Sequence, residues 1–248
     1  MPPETHVSAS LAVPPGASVL LYGGTFDPPH RGHAELAVQA RDALGSGVPG
    51  SGAVRAGAVR AGAPGAGPVQ SCAMPAAWLV YVPAGRNPHK PTGPIATGAD
   101  RVDMLRLATR GVPRVAIWTV EIDRADAGEA TYWIDTLREA RDTHAGPMRF
   151  LIGADQAVSF HLWRNFREIL GITEPVVMPR DAVTDGDAFR DSMQKSGAWN
   201  DAELHAWDAR LVRLPVVRAA SSSFRSTGSS ADIPPAVAAF IQRRGLYK

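Results

Sequence analysis

The feature that most constrains this chain is a four-residue apolar run, Val19-Leu20-Leu21-Tyr22, halted by Gly23-Gly24. Such a run before two glycines predicts a strand buried on both faces. After Pro28-Pro29 the period changes: Leu36, Ala40 and Leu44 fall at helical spacing and Gly45 offers a C-terminal stop. The alternation then recurs. Strands are predicted at 78–82, 115–120, 150–152, 175–178 and 211–217, and helices at 100–110, 131–141, 164–170 and from Pro234-Pro235 to Arg243. Strands separated by helices at this spacing predict an α/β fold, a parallel sheet covered by helices on both faces. In such sheets ligands bind beyond the carboxyl ends of the strands.

Composition excludes several other classes. The 248 residues, 45% hydrophobic and 20% charged with a net charge of +2, suit a globular domain and argue against a nucleic-acid coat or a membrane tether. The single cysteine, Cys72, cannot form an intrachain disulfide. No apolar run approaches the ~18 residues of a membrane span. Residues 1–17 lack a signal-peptide pattern and read as a flexible leader, which places the protein in the cytoplasm. Residues 18–248 read as one domain with an insertion at about 45–75, where Gly, Ala and Pro make up 19 of 31 residues. Ala53-Val54-Arg55-Ala56-Gly57 is repeated there as residues 58–62, too short a unit for a solenoid, so the stretch reads as flexible low-complexity surface. The sequence does not fix the oligomeric state, and a homo-oligomer is compatible with it.

Chemistry concentrates in Gly23-Gly24-Thr25-Phe26-Asp27-Pro28-Pro29-His30-Arg31-Gly32-His33. Glycines after a buried strand let the backbone approach a ligand, and a helix N-terminus favours anions. His30 and His33 can donate to phosphate oxygens there. The weaker alternative is a zinc site with Asp27, which lacks a third strong ligand at a familiar spacing. The acidic stretch from Glu121 to Asp126 reads as a solvated loop rather than a metal site.

This segment resembles the HxGH nucleotidyltransferase signature, and its longer form, GGTFDPxHxGH, resembles the bacterial nicotinate-nucleotide adenylyltransferase family. The resemblance continues in order. Pro83 to Lys90 is similar to that family's PxGxxPHK loop, and Thr131-Tyr132-Trp133-Ile134-Asp135-Thr136-Leu137 to its SYTIDTL helix start. Phe150 to Gln156 followed by Trp163 resembles FIxGxD…W, Arg218 to Arg225 sits where ISSTxIR occurs, and the ending Phe240-Ile241…Gly245-Leu246-Tyr247 is also similar.

The resemblance implies a Rossmann-like nucleotidyltransferase fold. It also implies transfer of AMP from ATP to nicotinate mononucleotide, giving deamido-NAD and pyrophosphate, with Mg2+ carried by the ATP. ATP and the mononucleotide are then the partners, with no nucleic acid and no membrane. Gly23, Gly24, Thr25, Phe26, His30, His33, Asp155, Ser221, Ser222 and Arg225 are implied at ATP, with His33 and His30 catalytic. Asn87, Lys90, Thr131, Tyr132, Trp133 and Trp163 are implied at the mononucleotide, with Trp163 stacked on the pyridine. No metal ligand is implied in the protein. Two positions depart from the pattern: the first serine of ISST is alanine when the stretch is aligned on Arg225, and Trp133 replaces a threonine. The alternatives are a sister enzyme acting on nicotinamide mononucleotide or phosphopantetheine, and a non-catalytic nucleotide- or RNA-binding module. Asn87-Pro88-His89-Lys90 and Trp163 argue against phosphopantetheine, and His30 and His33 against the non-catalytic module.

Overall fold

The computed structural model describes residues 5–45, 74, 76–85, 93–179, 186–212, 214, 221, 224–225 and 231–248. Six parallel strands form one sheet: β1 (His6–Ser8), β2 (Val19–Gly24), β3 (Trp78–Pro83), β4 (Val115–Trp118), β5 (Met148–Gly153) and β6 (Glu174–Met178). Their spatial order is β1-β4-β3-β2-β5-β6. From β2 the chain builds outward through β3 and β4, then returns to add β5 on the other side of β2. The order therefore reverses between β2 and β5, which makes the carboxyl ends of those two strands the place for a ligand.

The apolar runs are continuous because both faces are covered. Leu20, Tyr22, Leu79, Tyr81, Ile117 and Leu151 point to one face, under α1 (Ala37–Gly45) and α2 (Gly98–Ala108). Leu21, Val80, Val82, Trp118, Phe150 and Ile152 point to the other. There they meet α4 (Trp133–Thr143), α5 (Ala154–Val158), α6 (Phe166–Ile172), α7 (Gly186–Lys195) and α8 (Asp201–Arg210). Two further helices are α3 (Val120–Asp126) and α9 (Pro235–Arg244), which packs Val237 and Ile241 on Met104 of α2.

Three expectations change. The segment read as a flexible leader supplies β1, with His6 opposite Ala116 and Ser8 opposite Trp118. Thr119 N–H and the Trp118 indole N–H donate to Ser8 O and Ala9 O and fasten it; three residues without alternation are too short to signal a strand. The stretch Glu121–Asp126 is helical, and Glu121 is buried. The strand expected at 211–217 appears, among the described residues, as a single bridge from Val177 to Leu211. Most of the Gly/Ala/Pro insertion lies outside the described residues, but its ends meet: Met74 N–H donates to Leu44 O at 2.9 Å.

Candidate active site

The turn leaving β2 is built around Phe26. Its backbone is left-handed, at φ 51°, and its ring is 1% exposed. A Cβ on Gly24 would stand 2.9 Å from that ring, so the second glycine lets the ring fold back into the core. The ring meets His33 edge-on, at 5.0 Å and 82°. Phe26 is thus core, and what it can offer a nucleotide is backbone. A Cβ on Gly23 would stand 2.7 Å from the Trp133 ring, so the first glycine is needed to seat that indole.

His30 and His33 lie where a π-helical turn, Gly32–Leu36, enters α1. Both are buried, and their rings stack with centroids 3.7 Å apart. The His30 backbone N–H donates to His33 Nδ1 at 3.3 Å. A neutral imidazole that accepts at Nδ1 carries its proton on Nε2, so His33 presents an Nε2–H donor. Tyr81 O–H holds the other side of the residue, donating to His33 O at 2.8 Å.

The backbone of this turn is pinned by side chains from elsewhere. Arg101 of α2, 2% exposed, donates to Thr25 O at 2.9 Å and to Ala84 O at 2.7 Å, bridging the turns after β2 and β3. Asp27 accepts from Ile95 N–H at 2.8 Å, from Ala96 N–H at 3.1 Å and from Tyr247 O–H. Ser221 O–H donates to Pro28 O at 2.8 Å, and the Arg225 guanidinium donates to Asp27 O. Asp27 thereby anchors this turn to Ile95, Ala96 and Tyr247. Among the described residues no three His, Cys, Asp or Glu side chains converge as metal ligands.

Across the switch point, β5 delivers Asp155. Its Oδ2 accepts from the Gln156 side chain at 3.2 Å, while the buried Oδ1 has no hydrogen-bond partner among the described residues. That oxygen is an open acceptor for a ligand hydroxyl or a metal-bound water. On the same face Thr131 is buried and Tyr132 half-buried at the start of α4. The Arg164 guanidinium lies 4.3 Å over the Tyr132 ring, next to Trp163, whose half-buried indole packs on Phe160. Tyr132, Trp133, Trp163 and Arg164 therefore belong to one aromatic and cationic patch. Asn87, Lys90 and Ser222 lie outside the described residues.

The structure adds residues that the sequence reading missed or put to another use: Arg101, Glu121, Arg164, Tyr247 and, as an anchor, Asp27. Glu121 Oε1 accepts from Thr136 O–H at 2.8 Å, and its carboxylate also accepts from Gly85 N–H. Burial pushes its carboxyl up to about 7, against the opposing pull of Thr136, Arg124, Gly85 and Arg101. Three acids at positions 121–126 suggested solvent. The signal that could have corrected this is the apolar pair Val120 and Ile122 at the start of the stretch, both buried.

Residues 21–51 and 70–227 match the Cytidylyltransferase-like family, and the chain belongs to it. Within that class, two relatives carry the name "Probable nicotinate-nucleotide adenylyltransferase". A protein from Stenotrophomonas maltophilia is 31% identical, covering 92% of this chain and 96% of its own. One from Neisseria meningitidis serogroup C is 29% identical, covering 92% and 97%. Among solved structures, Plasmodium falciparum nicotinic acid mononucleotide adenylyltransferase complexed with NaAD aligns with a TM-score of 0.58 at 12% identity, over 93% of this chain and 97% of that one. The same enzyme complexed with APC aligns at 0.53. These two establish likeness of fold. No helix among the described residues is long and apolar enough to cross a membrane.

Proposed function

We propose that this protein transfers the adenylyl group of ATP to nicotinate mononucleotide. A phosphate oxygen of the mononucleotide attacks the α-phosphorus of ATP in line. The new P–O bond forms as the bond to the β-phosphate bridging oxygen breaks, and pyrophosphate leaves with that electron pair. Mg2+ enters as part of the ATP substrate and neutralises charge on its phosphates. The protein forms no covalent bond, so its task is to orient the two phosphates and to stabilise growing charge. The observation that carries this reading is the buried His30–His33 stack at the sheet's switch point, with His33 Nε2–H as donor. That donor is fixed before substrate arrives, so no reorganisation is needed as charge develops.

Asp155 supplies the open acceptor for the nucleotide ribose or for water on the magnesium. Trp163 supplies a flat apolar face for the pyridine. The pyridine carboxylate meets the free N–H groups at the start of α4 and the positive field of Arg164. An amide in that place would carry no charge. Hydrogen bonds to a charged group contribute roughly 1.5–3 kcal/mol against about 1 for a neutral one, so two of them favour the acid by about 10²-fold.

Pyrophosphate release, measured with saturating Mg-ATP and nicotinate or nicotinamide mononucleotide side by side, tests the proposal. A clear preference for the acid in kcat/KM is expected. Equal values, or a preference for the amide, would overturn the substrate assignment. No release with either would overturn the reaction.

A further inference from the structure

We propose that Glu121 is a positioning residue for the mononucleotide: its carboxylate ties the glycine turn after β3 to the first turns of α4, and so sets the distance between the two walls of the mononucleotide site. This rests on the function proposed above.

The geometry is specific. Glu121 stands in the first turn of α3, directly beyond the carboxyl end of β4, and is 6% exposed. From one side its Oε1 accepts from the hydroxyl of Thr136, one turn into α4 from Trp133. From the other it accepts from the backbone N–H of Gly85. The turn at Gly85 can come this close only because it has no side chain. A Cβ there would stand 2.0 Å from Glu121 O and 2.7 Å from the Ala125 Cβ. Among the described residues two charged groups face the carboxylate: Arg101 from α2 and Arg124 from α3 itself. Neither is a simple counter-ion. Arg101 is spent on Thr25 O and Ala84 O, and Arg124 donates to Thr136 Oγ1 at 3.3 Å and to Glu139 of α4.

Burying an acid is an expensive way to join two segments, and a neutral amide or hydroxyl would suffice for a purely structural bridge. What a carboxylate adds is acceptor capacity: ionised, it takes both N–H and O–H without competition, whereas a protonated carboxyl becomes a donor. With its carboxyl near neutrality, protonation removes an acceptor and slackens the tie as pH falls through about 7. The consequence falls on binding of the mononucleotide, because on the function proposed the start of α4 borders that substrate and the turn at Gly85 is what it is tied to.

The test is steady-state kinetics of Glu121→Gln against wild type, from pH 6 to pH 8.5, varying each substrate in turn. At pH 8 the KM for nicotinate mononucleotide is expected to rise about fivefold to tenfold, from loss of one charge-assisted bond, with kcat and the KM for ATP nearly unchanged. The ratio of the two proteins' mononucleotide KM values is expected to fall toward one at pH 6, where wild type has lost the same charge. Other groups titrating in this range, the substrate phosphate included, act on both proteins and cancel in the ratio. A ratio that stays constant with pH, or a parallel change in kcat and both KM values, overturns the proposal. If Glu121→Gln does not fold, Thr136→Val removes one donor while keeping the carboxylate, and the same selective rise in mononucleotide KM is expected; an unchanged KM overturns the proposal. A wild-type protein that releases no pyrophosphate with nicotinate mononucleotide refutes the functional reading itself, and this inference with it.

Discussion

On the function proposed, the nucleotide side and the mononucleotide side of the site are held in different ways. On the nucleotide side the turn after β2 is clamped through its carbonyls: Arg101 on Thr25 O, Arg225 on Asp27 O, Ser221 on Pro28 O. Guanidinium and hydroxyl donors keep their protons throughout the physiological range. On the mononucleotide side Arg101 also holds Ala84 O, but the tie from the turn after β3 to α4 is a buried carboxylate, Glu121, supported by aromatic packing around Tyr132, Trp133 and Trp163. On that reading, the turn that leads to His30 and His33 is clamped by groups that do not titrate, whereas the wall at the pyridine is tied by one that does. Positioning for the chemical step is built to be constant, while positioning for substrate choice is open to adjustment.

The sharpest way to break the comparison is at the reacting end. His33→Ala removes the Nε2–H donor but leaves the clamps on Thr25, Asp27 and Pro28 in place. Loss of one such donor lowers kcat on the order of 10²–10³-fold. Rapid-quench or pyrophosphate-release rates check this, with a melting temperature near wild type as the control for folding. A folded variant within a few fold of wild type would mean that His33 is not the group that meets the developing charge.

The next largest effect concerns stability on the titrating side. The folded-state pKa of Glu121, about 7, lies above its ordinary 4.5, so the fold favours the neutral acid. Its stabilising contribution is complete below about 4.5 and is lost as pH rises through about 7. At roughly 1.4 kcal/mol per unit, the loss amounts to about 3 kcal/mol. Glu121→Gln stays neutral at every pH, so its stability relative to wild type is expected to rise between pH 5 and pH 8. Urea melts at the two pH values measure the change, and a constant difference would mean that Glu121 is ionised as easily as in solvent. A smaller effect is expected at the seam between the sides. Gly23→Ala places a methyl 2.7 Å from the Trp133 ring and is expected to destabilise by about 1–3 kcal/mol, as overpacking does. Adding Trp133→Phe, which shortens the ring, is expected to recover part of the loss in the same melts. Failure to recover would show that the two positions are not coupled.

What could be read from the sequence follows the same division. β2, β3, β5 and β6 are doubly buried apolar runs, and periodicity finds such runs without help. His30, His33, Asp155 and Trp163 are consecutive with, or just beyond, those runs, so the topology carries them to one edge of the sheet. Ties between distant segments left no local pattern. Arg101 is one arginine among many on a helix, and its burial follows from carbonyls at Thr25 and Ala84 that only the fold brings to it. Glu121 was read by its charge, and its partners are Gly85 and Thr136, 36 residues before it and 15 after. α7 and α8 were missed because each shows only two buried apolar positions, Phe189 and Met193, then Leu204 and Trp207. For α8 a legible signal did exist: Asn200 and Glu203 form a capping box, with Asn200 Oδ1 accepting from Glu203 N–H at 3.0 Å.

The smallest expected effect lies farthest from both sides. Residues 46–73 fall in the chain between α1 and β3 and lie outside the described residues. Their sequence has no periodic apolar face, and Gly and Ala dominate it. The chain on either side is already joined, since Met74 N–H donates to Leu44 O at 2.9 Å. Replacing residues 46–73 with three glycines therefore preserves the junction. Shortening a loop reduces its closure entropy by about 0.6 kcal/mol per halving, so about 2 kcal/mol of added stability is the upper expectation. Activity should stay within about twofold, because the clamps on Thr25, Asp27 and Pro28 and the partners of Glu121 seen among the described residues all come from other segments. A thermal melt and kcat/KM for both substrates are sufficient measurements. A drop in melting temperature, or a selective loss of one substrate, would show that Arg55, Arg60 or their neighbours take part in one of the two sides, and the contrast between them would have to include a third.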